Sequence, residues 1–581
     1  MIPLASTFLD RVRAGAAGTR DMSRMSAWIV DHTRHPKDKL TPWSFANHEM
    51  QIDIANDQHH HTKVRKCSQV GLSELSVRLS LGMLSIFSGS TAIYTLPTAK
   101  FASKFAKSRI NPVVEASRTL SDLVPPGADS AELKQFGSSF LYVVGTSGQS
   151  SPISIPADML VRDEVDFSNQ ALLSMFFSRL GHAEEGGWIR DFSTPTVDKY
   201  GISADFDSTT KGRYVVKCYH CSDRVALDPF RDVIIPGYDG KLVEFEKEDL
   251  DNPGYDIANA ALLCPTCRNE VTQANLMDAS TREWVHANPD AEMGGYQVMP
   301  FDVPFVNPLA KTIKAIDQYE RKADWVNFEW GKPYQDADNS FLASVIKANT
   351  VVQFIPAGPF AAQGCVAGLD IGKTSWIVIG KRLSGGKAVD IIYAEQIRQD
   401  DDDHLFKRTM ELMKWFGVVR LVVDAGPDFS TVLKLIGKSL VDQVYGCYYV
   451  RTGKKNLSAI DVKMEEQVVV VGKVDSFNIT SKAVNTGLVR FPRCQEMATI
   501  QSHCENMRRV SSKDSQGEMK TAWVNVGPDH YANALNYLMI ALGLCEYLNL
   551  HAPAPAPATV IKARFGAEQE EDPSHTSIIP R

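Results

Sequence analysis

Two cysteine pairs constrain the fold of this chain more than any other feature, because they require distant segments to meet. Cys218 and Cys221 form one C-x-x-C pair, and Cys264 and Cys267 form a second pair after residues 222–263. Four thiolates complete the tetrahedral shell of a Zn²⁺ ion and leave no open position for a substrate. We therefore predict a structural zinc site at these four cysteines. A redox-active dithiol is the alternative interpretation.

The size and composition of the chain are those of a multidomain globular protein. With 581 residues, 44% of them hydrophobic and 23% charged, the chain is expected to form about three to five ordinary domains. The formal net charge of -7 excludes a polybasic coat protein, so a nucleic-acid surface has to be local. The sequence shows neither a secretory signal nor a stretch that suits a membrane span, which predicts a cytoplasmic protein without membrane contact.

Apolar runs early in the chain alternate between strand and helix patterns. Thr62–Cys67 reads as a strand, and Ser73–Phe87 carries apolar residues at helical spacing. Another strand follows at Thr91–Leu96, and Phe140–Val144 and Met159–Val161 add two more. This order predicts an α/β domain with a parallel sheet and crossover helices.

The turn between the first strand and helix resembles a phosphate-binding loop with a displaced lysine. Compared with the pattern G-x-x-x-x-G-K-[ST], the segment keeps Gly71 and Ser73, whereas Leu72 occupies the lysine position and Lys66 replaces the first glycine. Backbone N–H groups at a helix N-terminus, a lysine and a hydroxyl are the groups that bind a nucleotide and Mg²⁺. A plain strand-to-helix turn with a buried glycine is the alternative.

Two carboxylates at the end of a later strand support the nucleotide interpretation. ATP hydrolysis requires one acid to hold Mg²⁺ and another to orient the attacking water, and Asp163 and Glu164 are our candidates in that order. Arg162 interrupts the same apolar run. Further on, Thr194 lies in a small polar turn after the predicted strand Trp188–Phe192, and we interpret it as a γ-phosphate sensor. An ordinary Ser/Thr turn is the alternative for that segment.

The C-terminal half shows the element order of a ribonuclease-H-like fold. Three predicted strands, Cys365–Asp370, Ser375–Gly380 and Ala388–Ala394, precede a helix at His404–Phe416 and a strand at Val418–Asp424. In such a sheet the first and fourth strands are neighbours. Residues at their carboxyl ends should therefore lie side by side.

Three aspartates in this region are candidate ligands for two Mg²⁺ or Mn²⁺ ions. Asp370 ends the first strand, Asp424 ends the fourth, and Asp529 opens a long apolar helix predicted at Tyr531–Leu548. Cleavage of a phosphodiester with two metal ions requires carboxylates that converge from separate elements. The alternative is that each aspartate caps its own element, as Asp529 is well placed to do.

Basic segments near these aspartates could contact the backbone of duplex DNA. One segment carries Arg451, Lys454 and Lys455. A predicted hairpin carries four more basic residues, namely Arg508, Arg509, Lys513 and Lys520. Contacts to phosphates are independent of sequence, which suits a nuclease that a partner directs to its site. Solvated edges of the domain are the alternative.

The order of these motifs resembles the large terminase subunit of tailed bacteriophages, in particular its lambda-type branch. That branch is similar in placing its lysine at the start of the phosphate loop, which implies that Lys66 binds ATP phosphates. The resemblance also suggests Trp43, Phe45 and Gln51 as contacts to adenine, with a place in the core as the alternative for Trp43.

The same resemblance implies an ATP-driven motor that packages double-stranded DNA into a procapsid, with a two-metal endonuclease that cuts concatemers. It further implies a small terminase subunit and a portal protein as partners. During packaging we expect a homo-oligomeric ring, acting in the host bacterial cytoplasm.

The resemblance suggests a division of the chain into six segments. These are an N-terminal segment that could contact the small subunit (1–39), a P-loop packaging ATPase (40–210), a zinc-binding region (211–300), a connector (301–360), a ribonuclease-H-like nuclease (361–550) and a Pro/Ala linker with a flexible tail (551–581). Two other functions stay open at this point. One is a nuclease or transposase without a working ATP motor, and the other is a non-enzymatic, zinc-organised phage scaffold.

Overall fold

The computed structural model contains two large β-sheets joined by a helical connector. It describes residues 21–551 with the exception of 126–129, 148–154, 184–186, 337–339, 384–387, 399–402, 427–428, 441, 451–460 and 514–518. Among these described residues, no helix is both long and apolar enough to cross a membrane.

The first sheet has ten strands with a parallel centre. In chain order the strands are β1 (His61–Lys66), β2 (Thr91–Leu96), β3 (Leu133–Phe136), β4 (Ser139–Gly145), β5 (Met159–Asp163), β6 (Trp188–Ser193), β7 (Gly212–Lys217), β8 (Arg224–Val225), β9 (Arg282–His286) and β10 (Met293–Val298). Their spatial order is β8-β7-β10-β1-β6-β5-β2-β4-β3, and β9 also pairs with β7. The strands from β7 to β4 are parallel, so their carboxyl ends share one edge.

Helices cover this first sheet. The central one, α1 (Leu72–Ile86), follows the phosphate-loop segment and buries Leu75, Leu79 and Met83, the residues whose spacing predicted it. The other helices lie at Met25–His32, Gln51–Asn56, Ala99–Phe105, Asn111–Ala116, Arg118–Ser121 and Gln170–Phe176. A π-helical turn, Ala106–Ile110, joins two of them. A two-stranded ribbon, Arg34–His35 with Asp38–Pro42, lies near the N-terminus of the described chain.

The cysteine-bearing segment is inserted between strands of the first sheet. It contains a small ribbon, Val233–Ile234 with Ala261–Leu262, and short helices at Pro229–Asp232 and Gln273–Met277. Strands β7, β8, β9 and β10 fall within residues 211–300 but belong to the first sheet. The connector then contributes helices at Leu309–Lys314, α2 (Lys322–Trp330) and Ala343–Ala348.

The second sheet has nine strands. They are β11 (Thr350–Val352), β12 (Cys365–Asp370), β13 (Thr374–Arg382), β14 (Val389–Arg398), β15 (Val418–Asp424), β16 (Val444–Val450), β17 (Asp461–Lys463), β18 (Val468–Gly472) and β19 (Val489–Pro492). Their order is β11-β19-β14-β13-β12-β15-β16-β18-β17. Strands β12, β13 and β14 are antiparallel neighbours, and β12 pairs in parallel with β15.

Both faces of the second sheet are covered by helices. One face packs against α4 (Lys473–Asn485), Met497–Glu505 and α5 (His530–His551), and the other packs against α3 (His404–Trp415) and Phe429–Lys438. A separate hairpin, β20 (Met507–Lys513) with β21 (Met519–Asn525), precedes α5. The predicted fold class is confirmed: a parallel α/β domain, a cysteine-bearing insert, and a second sheet with ribonuclease-H-like strand order.

Gly368 permits the close packing of α5 on the second sheet. A Cβ atom at this position of β12 would collide with the backbone of α5 at Ala534 and Leu538. Glycine within a strand often marks such a close backbone approach. Since α5 places Asp529 near the ends of β12 and β15, this contact sets the geometry of the aspartate cluster.

We expect Gly368→Ala to destabilise the second domain by about 2 kcal/mol, because the helix must move away from the sheet. Thermal unfolding should show a Tm lower by roughly 5 °C. Gly437→Ala is the matched control, since nothing lies within 4 Å of a Cβ atom added there and the residue is in a helix. An unchanged Tm in Gly368→Ala would contradict this account.

Candidate functional site

The phosphate-loop segment forms a tight turn between β1 and α1. Gly71 has φ +75°, a conformation that favours glycine, and a Cβ atom there would come within 2.8 Å of Gln51 Nε2. The same Gln51 amide donates a hydrogen bond to the carbonyl oxygen of Val70 (2.9 Å). Leu72 is buried in the core of the first sheet, so the position that usually holds the P-loop lysine serves packing here.

Lys66 brings an amine to the loop, whose usual lysine position is occupied by Leu72. Its Nζ lies 3.5 Å from Glu164 Oε1, and both side chains line the same cavity. Burial alone would lower the pKa of Lys66, but the charges of Glu164 and Asp163 outweigh burial and raise it. Lys66 is therefore held as a cation. Glu164 has φ +57°, a sparsely populated backbone conformation that is found preferentially at functional sites.

Asp163 does not line this cavity, but its buried carboxylate contacts the hydroxyl of Ser73, which does. Ser73 and Tyr94 both hydrogen-bond to this carboxylate, the tyrosine at 3.1 Å. Burial raises the pKa of Asp163, while the charge of Lys66 acts in the opposite direction. A hydroxyl and a carboxylate in contact at the start of a phosphate-binding helix are a donor set that fits Mg²⁺.

These residues surround a cavity of about 550 Å³, a volume in the usual range of small-molecule sites. Five of the six residues predicted to bind or act on the nucleotide line it, namely Lys66, Gly71, Ser73, Glu164 and Thr194. The sequence interpretation missed His48, Arg109 and Phe328, which line it as well. No motif pointed to them, because they come from elements remote from the loop in sequence.

Asp166 fixes the polar turn that carries Thr194. One oxygen of this buried carboxylate accepts hydrogen bonds from Thr196 N (2.7 Å) and Thr196 Oγ1 (2.8 Å), and the other accepts from Ile202 N (2.7 Å). Burial raises the pKa of Asp166 to about 6. The turn after β6 is thus joined to the turn after β5. Sequence reasoning missed Asp166, although it lies two residues beyond Glu164.

None of the three residues expected to contact adenine lines the cavity. The ring of Trp43 packs 3.5 Å from the guanidinium carbon of buried Arg78, and Phe45 is part of the core. Gln51 holds the phosphate loop, as described above. These residues therefore act in packing and in loop geometry.

The four cysteines converge as predicted. The Sγ atoms of Cys218 and Cys267 are 3.8 Å apart, as are those of Cys221 and Cys264, and all four lie within 4.8 Å of one another. Tetrahedral zinc with Zn–S bonds of about 2.3 Å requires S–S distances of roughly 3.8 Å. The described residues contain no other His, Cys, Asp or Glu group with this ligand spacing. The cluster could therefore hold one zinc ion.

The aspartates of the second domain are brought near one another, although not at the close ligand spacing of the four cysteines. Asp370 and Asp424 end the adjacent parallel strands β12 and β15, whose register pairs Leu369 with Val423. Asp529 immediately precedes α5, and its charge acts on Asp370. Burial, together with the nearby charges of Asp424 and Asp529, raises the pKa of Asp370 to about 7 against the opposing effect of His530. Such mutual repulsion between carboxylates is relieved when a divalent cation binds.

His530 is a member of this cluster that sequence reasoning did not single out. Its Nδ1 lies 2.9 Å from Asp370 Oδ2, and its ring stacks on Trp376 at a centroid distance of 5.5 Å. Lys473 and Tyr537 complete the surroundings, since both act on Asp424 and favour its charged form. The sequence feature that could have identified His530 is its position directly after Asp529.

The proposed DNA-contacting segments are only partly described. Arg508 is buried and faces the Gln335 amide, so the prediction that it contacts DNA is wrong. Lys520 is exposed in β21. The segment with Arg451, Lys454 and Lys455, the side chain of Lys513, residues 1–20 and the tail after His551 lie outside the described residues.

The fold and the two sites define a class of protein: a P-loop-type nucleotide-binding domain joined to a ribonuclease-H-like domain. Residues 37–284 match the family model described as "Phage terminase large subunit gpA, ATPase domain". The chain therefore carries this ATPase domain, and the resemblance to the large terminase subunit is confirmed. No curated protein matches the sequence.

Several solved structures are similar to the chain at low sequence identity. The large terminase of bacteriophage HK97 is 11% identical, with 90% of this chain and 99% of that chain covered and a TM-score of 0.47. The large terminase of a thermophilic bacteriophage, solved in complex with ADP, is 11% identical, with coverage of 82% and 93% and a TM-score of 0.28. The magnesium-bound large terminase nuclease of thermophilic phage G20c is 15% identical, with coverage of 34% and 96% and a TM-score of 0.24.

We expect purified protein to contain about one zinc ion per chain, because four thiolates at this spacing bind zinc tightly. Cys264→Ser should lose the ion and become sensitive to proteolysis within residues 218–267, as elemental analysis and limited digestion would show. Cys494→Ser, a free cysteine away from the cluster, is the control. Retention of zinc in Cys264→Ser would contradict the assignment.

We expect Asp370→Asn to stabilise the metal-free protein. The raised pKa means that the folded state binds this proton more tightly than the unfolded state, so its contribution to stability is lost as pH rises from about 4 to 7. The Tm advantage of the variant should therefore be larger at pH 8 than at pH 5, by an amount equivalent to about 2 kcal/mol. Thermal melts in magnesium-free buffer test this, and an advantage independent of pH would refute it.

Proposed function

We propose that this protein is an ATP-driven DNA-packaging motor that also cuts DNA with a metal-dependent nuclease. The observation that carries the proposal is that Lys66, Ser73 and Glu164 line one cavity, with Asp163 hydrogen-bonded to Ser73, inside the segment that matches a terminase ATPase domain. A second, separate carboxylate cluster in the ribonuclease-H-like domain supports the cutting activity.

In the motor, each residue has a distinct task. Lys66 and the N–H groups of the loop around Gly71 bind the phosphates, because an amine and a helix N-terminus both favour anions. Ser73 and Asp163 would hold Mg²⁺, and the ion would supply positive charge to the phosphates. Glu164 orients the attacking water, and Thr194 senses the γ-phosphate. Since Asp166 ties the Thr194 turn to the Glu164 turn, a change at the phosphate shifts both turns together.

In the nuclease, Asp370, Asp424 and Asp529 would hold Mg²⁺ or Mn²⁺, and the bound ions would supply activation of water and stabilisation of the leaving oxygen. His530 orients Asp370 through the 2.9 Å contact. Burial raises the pKa of Asp424, and the charge of Lys473 acts against this rise and favours the charged form. The four-cysteine cluster binds zinc and stabilises the inserted region between β7 and β9, with no part in the chemistry.

The wider biological setting is part of the same proposal. We infer that the motor moves double-stranded DNA into a procapsid and that the nuclease cuts concatemers at the start and end of packaging. The partners would be a small terminase subunit and a portal protein, with several copies of this chain in a ring, in the host bacterial cytoplasm. The boundaries near residues 40, 210, 300, 360 and 550 stay our division of the chain.

A paired assay of ATP hydrolysis and plasmid cleavage tests the proposal. Lys66→Ala should reduce DNA-stimulated ATP hydrolysis at least about 100-fold, because it removes the main positive charge on the phosphates, and should leave Mn²⁺-dependent nicking within about threefold. Asp424→Ala should have the opposite effect, because the metal site loses a ligand. Asp461→Ala, at the exposed edge strand β17, is the acidic control.

Each alternative function predicts a different outcome of this assay. A nuclease or transposase without a motor would nick plasmid but show no ATP hydrolysis in the wild type. A zinc-organised scaffold would show neither activity while retaining its zinc. Loss of both activities in either single variant, with an unchanged melting curve, would contradict the assignment of each chemistry to its own domain.

A further inference from the structure

One guanidinium in the nucleotide cavity has no role in the mechanism above. Arg109 lines this cavity together with Lys66, Ser73 and Glu164, and its side chain is 57% exposed. It lies in the π-helical turn Ala106–Ile110, whose first and last residues are buried. Such turns are rare and occur frequently at functional sites, because the extra residue redirects a side chain.

Arg109 is the more exposed of two cations on one carboxylate. Glu74, in the first turn of α1, accepts hydrogen bonds from Arg109 Nη1 (2.9 Å) and from Arg78 Nη1 (2.7 Å). The side chain of Arg78 is fully buried, and its guanidinium stacks on Trp43 at 3.5 Å. Arg78 is therefore locked in place and neutralises Glu74 by itself. Arg109 adds a positive charge that Glu74 does not need for neutrality.

We propose that Arg109 contacts the γ-phosphate of ATP bound in the same chain and stabilises the transition state of hydrolysis. This assignment rests on the proposed function. When ATP enters, the Arg109 guanidinium exchanges the Glu74 carboxylate for the γ-phosphate oxygens, and Glu74 stays paired with Arg78. No buried charge is left unpaired by the exchange, so its cost is small.

The chemical step that Arg109 assists is a balanced hydrolysis. The water oxygen forms a bond to the γ-phosphorus, and the bond between this phosphorus and the β–γ bridging oxygen breaks. One water proton leaves toward solvent past Glu164, and ADP and phosphate are the products. Negative charge shifts toward the bridging oxygen in the transition state, where a planar guanidinium with several donors stabilises it better than a single ammonium group.

Steady-state ATP hydrolysis by the full-length chain in the presence of DNA tests this role. Arg109→Ala should lower kcat at least about 100-fold, because the transition-state contact is lost. The affinity for ADP should change less than about threefold, because ADP lacks the γ-phosphate, while binding of ADP with aluminium fluoride should be lost. Arg109→Lys should recover only part of kcat.

Arg118→Ala is the matched control for this experiment. Arg118 lies in the same lobe, its side chain is 93% exposed, and it pairs with Asp122 outside the cavity. This variant should match the wild type. If Arg109→Ala has a lower Tm, Arg109→Gln, which keeps the length of the side chain, replaces it with the same expected loss of kcat.

Three results would overturn the assignment. If Arg109→Ala keeps kcat within about threefold of wild type while Lys66→Ala is inactive, Arg109 has no such role and the proposed function stands. If a mixture of Arg109→Ala and Glu164→Gln chains regains activity, Arg109 serves the site of a neighbouring chain. If the wild type hydrolyses no ATP, the proposed function itself fails, and this inference fails with it.

Discussion

The structure depends above all on the compensation of buried charge at the carboxyl ends of parallel strands. Lys66 at the end of β1 faces Glu164 and Asp163 at the end of β5, and all three side chains are largely removed from water. Isolated, any of these charges would be costly to bury, and the charge of Lys66 offsets part of this cost for the two carboxylates, which repel each other. This arrangement also holds the groups of the proposed nucleotide site in place, because their positions are set by the sheet.

A second cluster of buried charges links strands β1, β5 and β6. Arg162 in β5 forms a two-pronged ion pair with Asp191 in β6, and Asp191 also contacts His61 in β1 at 2.7 Å. Despite burial, the charges of Arg162 and His61 hold the pKa of Asp191 well below its usual range. The arginine that interrupts an apolar run in the sequence thus joins the strands that carry Lys66, Thr194 and Asp163.

The connector helix α2 links the nucleotide site with the second domain. The carbonyl oxygen of Phe328 accepts a hydrogen bond from Ser68 N of the phosphate loop (2.7 Å), and its ring stacks between Phe167 and Tyr319. Just before the other end of the helix, Arg321 donates to Ser511 Oγ in the β20–β21 hairpin (2.5 Å). One short rigid element therefore touches the phosphate loop, the segment after Glu164 and the hairpin that precedes α5.

Local patterns in the sequence were sufficient for the elements and for the residues at their ends. Strands β2, β12 and β15 have the predicted bounds, and the cysteine spacing correctly indicated a four-sulfur cluster. Those features depend on side-chain periodicity and on ligand chemistry within a few residues, so they can be read from sequence. Only the tertiary structure placed Arg109 and Phe328 at the cavity and showed that Asp166 holds the turn of Thr194. It also showed that Arg508 is buried, and it paired β10 with β1 although the whole cysteine-bearing insert lies between them in the chain. Such contacts depend on which strands become neighbours and on how charges are compensated between them, and no local pattern encodes either.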